Sequence, residues 1–362
     1  MLRRTYAKID LGAIAHNIRE LKTACKKPVM AVIKADAYGH GVERVALTAL
    51  GEGVTWAAVA TPDEALELRG VSDRMHILIL SPVENDVVAL MAKNDISIAV
   101  CSPEELEFAG SLGIPVKVHI KVDTGMGRVG MRTDDELDRC IGICKKNAQI
   151  NVEGIFTHFA TADESDKSFT MEQLARFNKF AGMLYDAGFK PIRHAANSAA
   201  IIDVPEACID MCRMGISMYG YPPSHQMRNE LELKPAMSLV SYVSFIKTIH
   251  AGDTVSYGRI FRADSDVDVA TIPIGYADGY KRALSGKAKV FWGDTELKQI
   301  GRVCMDQIMV DVTKADVSVG DEVVLMDGRF SADDMADIAG TISYEILTDI
   351  TKRVPRVYVS ED

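Results

Sequence analysis

The sequence predicts an α/β protein: a (β/α)8 barrel over residues 1–235, then a mostly β domain over residues 236–362. Three observations carry this. Short, near-continuous apolar runs recur between helix-start signals, as parallel strands buried on both faces require. Roughly eight such runs fit into about 220 residues, the size of a closed (β/α)8 barrel. After KPAM (234–237) the texture changes to strands broken by Gly-Asp and Asp-Gly turns.

The barrel runs begin with PVMAVIK (28–34), which passes straight into the polar turn ADAYGHG. TWAAVA (55–60) is followed by TPDE, MHILIL (75–80) by SPVE, and SIAVC (97–101) by SPEE. Each tetrapeptide has a Thr or Ser, then Pro at the first helical position, then an acid placed to close a capping box. A helix is therefore expected at the C-terminal end of each of these strands. PVKVHIKVD (115–123), INVEGIFTHFA (150–160), PIRHAANS (191–198) and CIDMCRMGISMYG (208–220) continue the series. The same alternation also suits a doubly wound open sheet. In the second domain, residues 238–258, 266–280, 289–304 and 320–328 read as strands, and SADDMADIAG (331–340) and SYEILTDI (343–350) as helices.

Hydrophobic content of 48% and charged content of 25% are ordinary globular values. A net charge of -10 and a pI near 5.4 argue against a nucleic-acid groove or an anionic membrane surface as the main partner. No apolar run approaches the ~18 residues of a membrane span. In MLRRTYAKIDLGAIAHNI, Asp10, His16 and Asn17 break any signal-peptide pattern, so a cytoplasmic protein is expected. The seven cysteines form no C-x-x-C pair and have no histidine at zinc-site spacing. Buried free thiols in a reducing compartment are expected, with no metal site.

The ends of barrel strands carry chemistry. Here they offer Lys34 with Tyr38, Arg128, His158, Asn197 with Ser198, and Arg213 with Gly215. The set combines a lysine nucleophile, two fixed cations, an imidazole and small residues that expose backbone. It contains no carboxylate cluster, so metal-assisted hydrolysis fits poorly. A lysine beside cations is held partly neutral, as Schiff-base chemistry requires.

The segments VIKADAYGHG, KVDTGMGRVG, FTHFATAD, HAANS, RMGISMYG, DTVSYG, IGYADG, GRVCMDQ and RVPRVY, in this order over almost the whole chain, closely resemble alanine racemase, a pyridoxal-phosphate enzyme family. The resemblance implies a TIM-type barrel, interconversion of L- and D-alanine, and supply of D-alanine for peptidoglycan, with a catabolic role also open. It implies that Lys34 holds pyridoxal 5'-phosphate covalently. Tyr38, Ser198, Tyr344 and the backbone of Gly215 and Ile216 would hold the phosphate, with Asn197 and His158 also at the cofactor. Arg213 would face the pyridine nitrogen and, as a group that keeps its proton, make the ring a weaker electron sink. Arg128 would meet the phenolic oxygen and the substrate carboxylate.

Lys121 matches a position carbamylated in several relatives. Lys117, His119 and Lys121 share one strand face, and a carbamate there would turn one cation into an anion that braces Arg128. An unmodified Lys121 paired to a carboxylate stays open. Tyr257 would be the second catalytic base, with Tyr276, Cys304, Met305 and Asp306 bordering the substrate. In the family these come from the partner subunit, so a head-to-tail homodimer is implied. The rival readings are a basic amino-acid decarboxylase of the same plan and a non-enzymatic pyridoxal-phosphate carrier. The first lacks its expected glycine-rich loop and cysteine motif here, and the second would need the barrel alone.

Overall fold

Period-two burial marks the first strand, β1 (Tyr6–Asp10), in which Ala7 and Ile9 are covered and their neighbours are half-covered. The next eight are mostly buried, with half-covered or exposed positions chiefly in β7 and β8: β2 (Val29–Val32), β3 (Trp56–Val59), β4 (His76–Ile79), β5 (Ile96–Val100), β6 (Val116–Lys121), β7 (Ile150–Phe156), β8 (Ile192–His194) and β9 (Cys212–Met214). A computed structural model describes residues 4–360 as two units. One comprises Ile14–Ala37 and Val42–Lys234. The other comprises the N-terminal segment through Ala13, Tyr38–Gly41 and the chain from Pro235 onward.

The first unit is the barrel. Its strands lie in the order β8-β7-β6-β5-β4-β3-β2-β9, every pair parallel. β9 returns beside β2, with Met30 opposite Arg213. It also reaches the chain around β8, where Met211 N–H donates to Arg193 O (3.3 Å) and Arg213 N–H to Ala196 O (3.0 Å). Strands laid down in sequence and meeting again are a barrel, and the strand-order reversal of a doubly wound sheet is absent.

Two of the three helix-start signals act as expected. Thr61 and Glu64 form a full capping box before the helix Pro62–Val71. Ser102 accepts from Glu105 N–H, but the Glu105 carboxylate turns to Cys101 N–H at 2.7 Å. SPVE departs from expectation: its helix runs Asn85–Lys93, and Glu84 stands at the cap without a side-chain bond. The acid sits at the cap itself, where it cannot reach back as a third-position acid does.

The second unit adds β10 (Met237–Tyr242), β11 (Phe245–Ile249), β12 (Thr254–Val255), β13 (Phe261–Arg262), β14 (Val267–Ile272), β15 (Lys289–Trp292), β16 (Thr295–Ile300), β17 (Ile308–Asp311), β18 (Glu322–Met326) and β19 (Arg356–Val359). Nine strands form one sheet, ordered β11-β14-β17-β16-β15-β18-β10-β1-β19. β1 lies antiparallel to β10 and parallel to β19. The N-terminal strand, expected within the barrel domain, thus joins the second unit, as its alternating burial suits a sheet with one covered face. β15 and β16 pair Trp292 with Thr295 around Gly293 (φ 53°), the left-handed conformation a two-residue hairpin needs.

All seven cysteines are free, and five of them are buried. Among the described residues no group of metal-ligating side chains could hold an ion, and no helix is long and apolar enough to cross a membrane.

Candidate active site

Lys34 follows β2 and opens a single turn, Lys34–Tyr38, of unusual hand. Ala35, Asp36, Ala37 and Tyr38 all have φ between 51° and 53°, the left-handed region, with no glycine among them. Each such residue costs roughly 1–2 kcal/mol, so specific bonds must hold the turn. Ala37 N–H donates to Ile33 O (2.9 Å), Ala35 N–H to Glu64 Oε1 (2.7 Å) and Val42 N–H to Asp36 Oδ1 (2.8 Å). The other Glu64 oxygen accepts from Ala60 and Thr61, so the carboxylate that caps one helix also pins the turn after Lys34. Burial and the Arg128 charge push the Lys34 amine below the usual lysine range, against the opposing pull of Glu64. A larger share of the amine is then neutral and nucleophilic.

Arg213, only 3% exposed, is held by neutral partners. Nη2 donates to Thr157 O (2.6 Å) and Ala195 O (3.1 Å) and lies 3.5 Å from His158 Nδ1. Nη1 donates to His194 O and lies 3.1 Å from His194 Nδ1. Burial pulls the guanidinium down to about 10, which leaves it charged at neutral pH. His158 is driven well below the usual imidazole range by burial and by the surrounding cations, Arg213 first among them. It is a neutral ring.

Lys121, at the end of β6, is 2% exposed, and its ammonium donates to Val122 O at 2.9 Å. Burial and Arg213 lower it to about 8. The carboxylate pairing left open from sequence is not what the amine makes. Lys117 instead pairs with Asp95 (2.6 Å) and His119 with Glu153 (3.3 Å), so the three basic groups on that strand face go to different partners.

Ser198 Oγ accepts from Gly215 N–H at 2.8 Å, which brings those two expected residues together, with Ile216 next in the chain. Ser217 Oγ, beside Ile216, is buried without a hydrogen-bond partner. The Asn197 side chain caps the helix Ser198–Asp203 through Ala200 N–H (3.0 Å).

The second unit gathers the remaining expected residues into two places. The Tyr38 and Tyr344 rings lie 6.0 Å apart. Tyr257, 71% exposed, stands next to Ser256, whose Oγ donates to Arg302 O (2.8 Å) and lies 3.3 Å from Cys304 Sγ. Tyr276 N–H donates to Cys304 O (3.1 Å) and Ala277 N–H to Met305 O (3.0 Å). Asp306 pairs with Arg353 at 2.7 Å. Tyr257, Tyr276, Cys304, Met305 and Asp306 therefore share one surface, with the large side chains of Tyr257, Tyr276 and Met305 turned outward.

Sequence reasoning overlooked Glu64 as a brace for Lys34 and the set Glu153, His194 and Thr157 behind Arg213. For Glu64 the capping-box spacing was visible, but its second task depends on strands distant in sequence. Thr157 directly precedes His158, and His194 opens the HAANS segment that carries Asn197 and Ser198; that closeness was the available signal.

Comparison with known proteins extends over the whole chain. Residues 9–223 match the family profile "Alanine racemase, N-terminal domain" and residues 236–358 match "Alanine racemase, C-terminal domain". The alanine racemase of Clostridium perfringens is 45% identical over 370 residues, covering 99% of this chain and 96% of the relative. Alanine racemase 1 of Clostridium acetobutylicum is 44% identical with the same coverage. Among solved structures, alanine racemase of Clostridium difficile 630 aligns with a TM-score of 0.94 at 38% identity, covering 99% of this chain and 97% of that one. The Bacillus anthracis alanine racemase with bound L-Ala-P aligns with a TM-score of 0.93 at 37% identity, covering 99% and 96%.

Proposed function

This chain belongs to the alanine racemase family, whose members use pyridoxal phosphate, and we propose that it interconverts L-alanine and D-alanine with that cofactor joined to Lys34. The supporting observation is a half-buried lysine held below its usual pKa at the end of a barrel strand, within the field of Arg128. Supplying D-alanine for peptidoglycan is the role of the family and is the role proposed here.

The residues present fit the cofactor. Ser198, whose hydroxyl takes the Gly215 amide, and the Ile216 amide lie beside the unpartnered Ser217 hydroxyl, a polar group suited to a phosphate, to which the family resemblance would add Tyr38 and Tyr344. Asn197 orders the backbone there, and His158 flanks Arg213. When bound, pyridoxal phosphate supplies the electron sink that makes the alanine Cα proton acidic. Arg213 stays charged and would give the pyridine nitrogen a hydrogen bond while keeping its proton, which would limit charge build-up and side reactions. Arg128 takes the substrate carboxylate. Lys121, lowered to about 8, has a larger share of the neutral amine that carbamylation needs than an ordinary lysine, and a carbamate would brace Arg128.

Inversion at Cα needs a base on each face. Lys34 would move the proton on the D-alanine face. Tyr257 of a second copy serves the L-alanine face, with Tyr276, Cys304, Met305 and Asp306 at the border of the substrate. The shared, outward-turned placement of Tyr257, Tyr276 and Met305 supports a homodimer. Seven free thiols support a cytoplasmic setting.

An absorbance spectrum, an alanine racemisation assay and peptide mapping after borohydride reduction test the reading together. A visible-edge cofactor band, racemisation and a pyridoxyl label on Lys34 are expected. No activity on alanine, or a label on another lysine, overturns it.

A further inference from the structure

Behind Arg213 a chain of polar groups crosses the barrel. Ser97 Oγ donates to Glu153 Oε2 at 2.5 Å, and His119 Nε2 lies 3.3 Å from the same oxygen. His119 Nδ1 lies 2.8 Å from His194 Nε2, and His194 Nδ1 lies 3.1 Å from Arg213 Nη1. Both rings are fully buried and held flat: Phe156 stacks on His194 (5.0 Å, 6°) and Trp56 meets His119 edge-on (5.5 Å, 66°). Room for the His119 ring comes from Gly154 on β7, where a Cβ would stand 2.1 Å from Nδ1.

Counting hydrogens fixes the direction of this chain. A guanidinium only donates, so His194 Nδ1 accepts. Burial holds both imidazoles neutral, leaving one N–H on each. The His194 hydrogen must then sit on Nε2 and point at His119 Nδ1. The His119 hydrogen must sit on its own Nε2 and point at Glu153, whose bonds from His119 and Ser97 favour the carboxylate. Any other assignment sets two N–H groups or two lone pairs against each other. Arg213 has only carbonyl and imidazole partners of its own, so Glu153 is the anion at the far end of its hydrogen-bonded path.

We propose that Glu153, His119 and His194 form a one-way hydrogen-bond chain that positions Arg213 and provides its counter-charge. The role rests on the reading of Arg213 as the partner of the cofactor nitrogen. None of the three is a catalytic residue; they act through Arg213. The chain also explains why two imidazoles occupy the barrel interior, where apolar side chains normally fill the layers.

The test is long-range 1H–15N NMR on histidine-labelled protein, with and without pyridoxal phosphate, alongside kinetics of E153Q and E153L. His119 and His194 are expected as neutral Nε2–H tautomers in both states. E153Q retains an acceptor for the His119 Nε2–H, whereas E153L removes it. Both should keep the tautomers, which are set from the Arg213 end, and E153L should shift the His119 Nε2–H proton and nitrogen signals as that bond is lost. The turnover number should fall from wild type to E153Q to E153L, by up to about a hundredfold in E153L, with the alanine KM within about twofold. Either ring found charged, or as Nδ1–H in wild type, overturns the chain even where racemisation is intact. Wild-type turnover in E153Q overturns the counter-charge role, and needs no folded E153L. The expected tautomers in a protein that does not take up pyridoxal phosphate overturn the functional reading and with it this role.

Discussion

Glu64 is the brace whose removal says most about how Lys34 is presented. Its two oxygens accept from three backbone N–H groups, at Ala35 (2.7 Å), Ala60 (2.7 Å) and Thr61 (3.2 Å). Bonds to a charged acceptor are worth roughly 1.5–3 kcal/mol each, so the three sum to about 5–9 kcal/mol before water replaces the lost partner. Glu64 is half-exposed, and water can reach part of the gap. The net cost of Glu64→Ala is then about 3 kcal/mol, because four left-handed residues lose one of the bonds that hold them. Glu64→Gln keeps one acceptor oxygen and should cost about 1 kcal/mol. Both variants remove the carboxylate that raises the Lys34 pKa, so its amine should titrate at lower pH. Urea denaturation gives the first quantity, and the pH dependence of pyridoxal-phosphate capture gives the second. Glu64→Ala within about 0.5 kcal/mol of wild type, with an unmoved capture profile, would refute the reasoning.

Lys121 is lowered from 10.5 to about 8, so between these values the unfolded chain binds more protons and stability should rise with pH. The gain is about 3 kcal/mol across the window in carbonate-free buffer, and Lys121→Met should lose it; equal urea-melt slopes would contradict the assignment. Gly154→Ala places a Cβ 2.1 Å from the His119 ring and should lower stability by about 1–3 kcal/mol, with an unchanged thermal midpoint the opposing result. Mixing Lys34→Ala with Tyr257→Ala subunits should restore activity, since a mixed dimer has one site with both bases. No recovery after verified subunit exchange would place both bases on one chain.

Much of this architecture is legible because it follows from local pattern. Continuous burial of β2 goes with an apolar residue at every position, β5 follows the same pattern except at Ser97, and Thr61 with Glu64 makes a cap whose spacing is fixed by helix geometry. β1 falls within the 1–235 range expected for the barrel, yet it pairs with β10 and β19, which lie more than two hundred residues away and which YAKID alone does not announce. SPVE has the letters of a capping box, but Glu84 itself stands at the N-cap and the helix starts at Asn85. At the site, the motif residues were visible one by one. The left-handed turn after Lys34 was not, since Ala-Asp-Ala-Tyr carries no glycine to announce it. Nor was the chain from Arg213 to Glu153, which joins residues from separate strands through two rings.

The two-base assignment is tested most directly by Cα proton exchange of each alanine enantiomer in deuterated water, using Tyr257→Ala. Exchange from L-alanine should nearly cease, while exchange from D-alanine, served by Lys34, should persist. Equal exchange of both enantiomers in that variant would contradict the division between Lys34 and Tyr257.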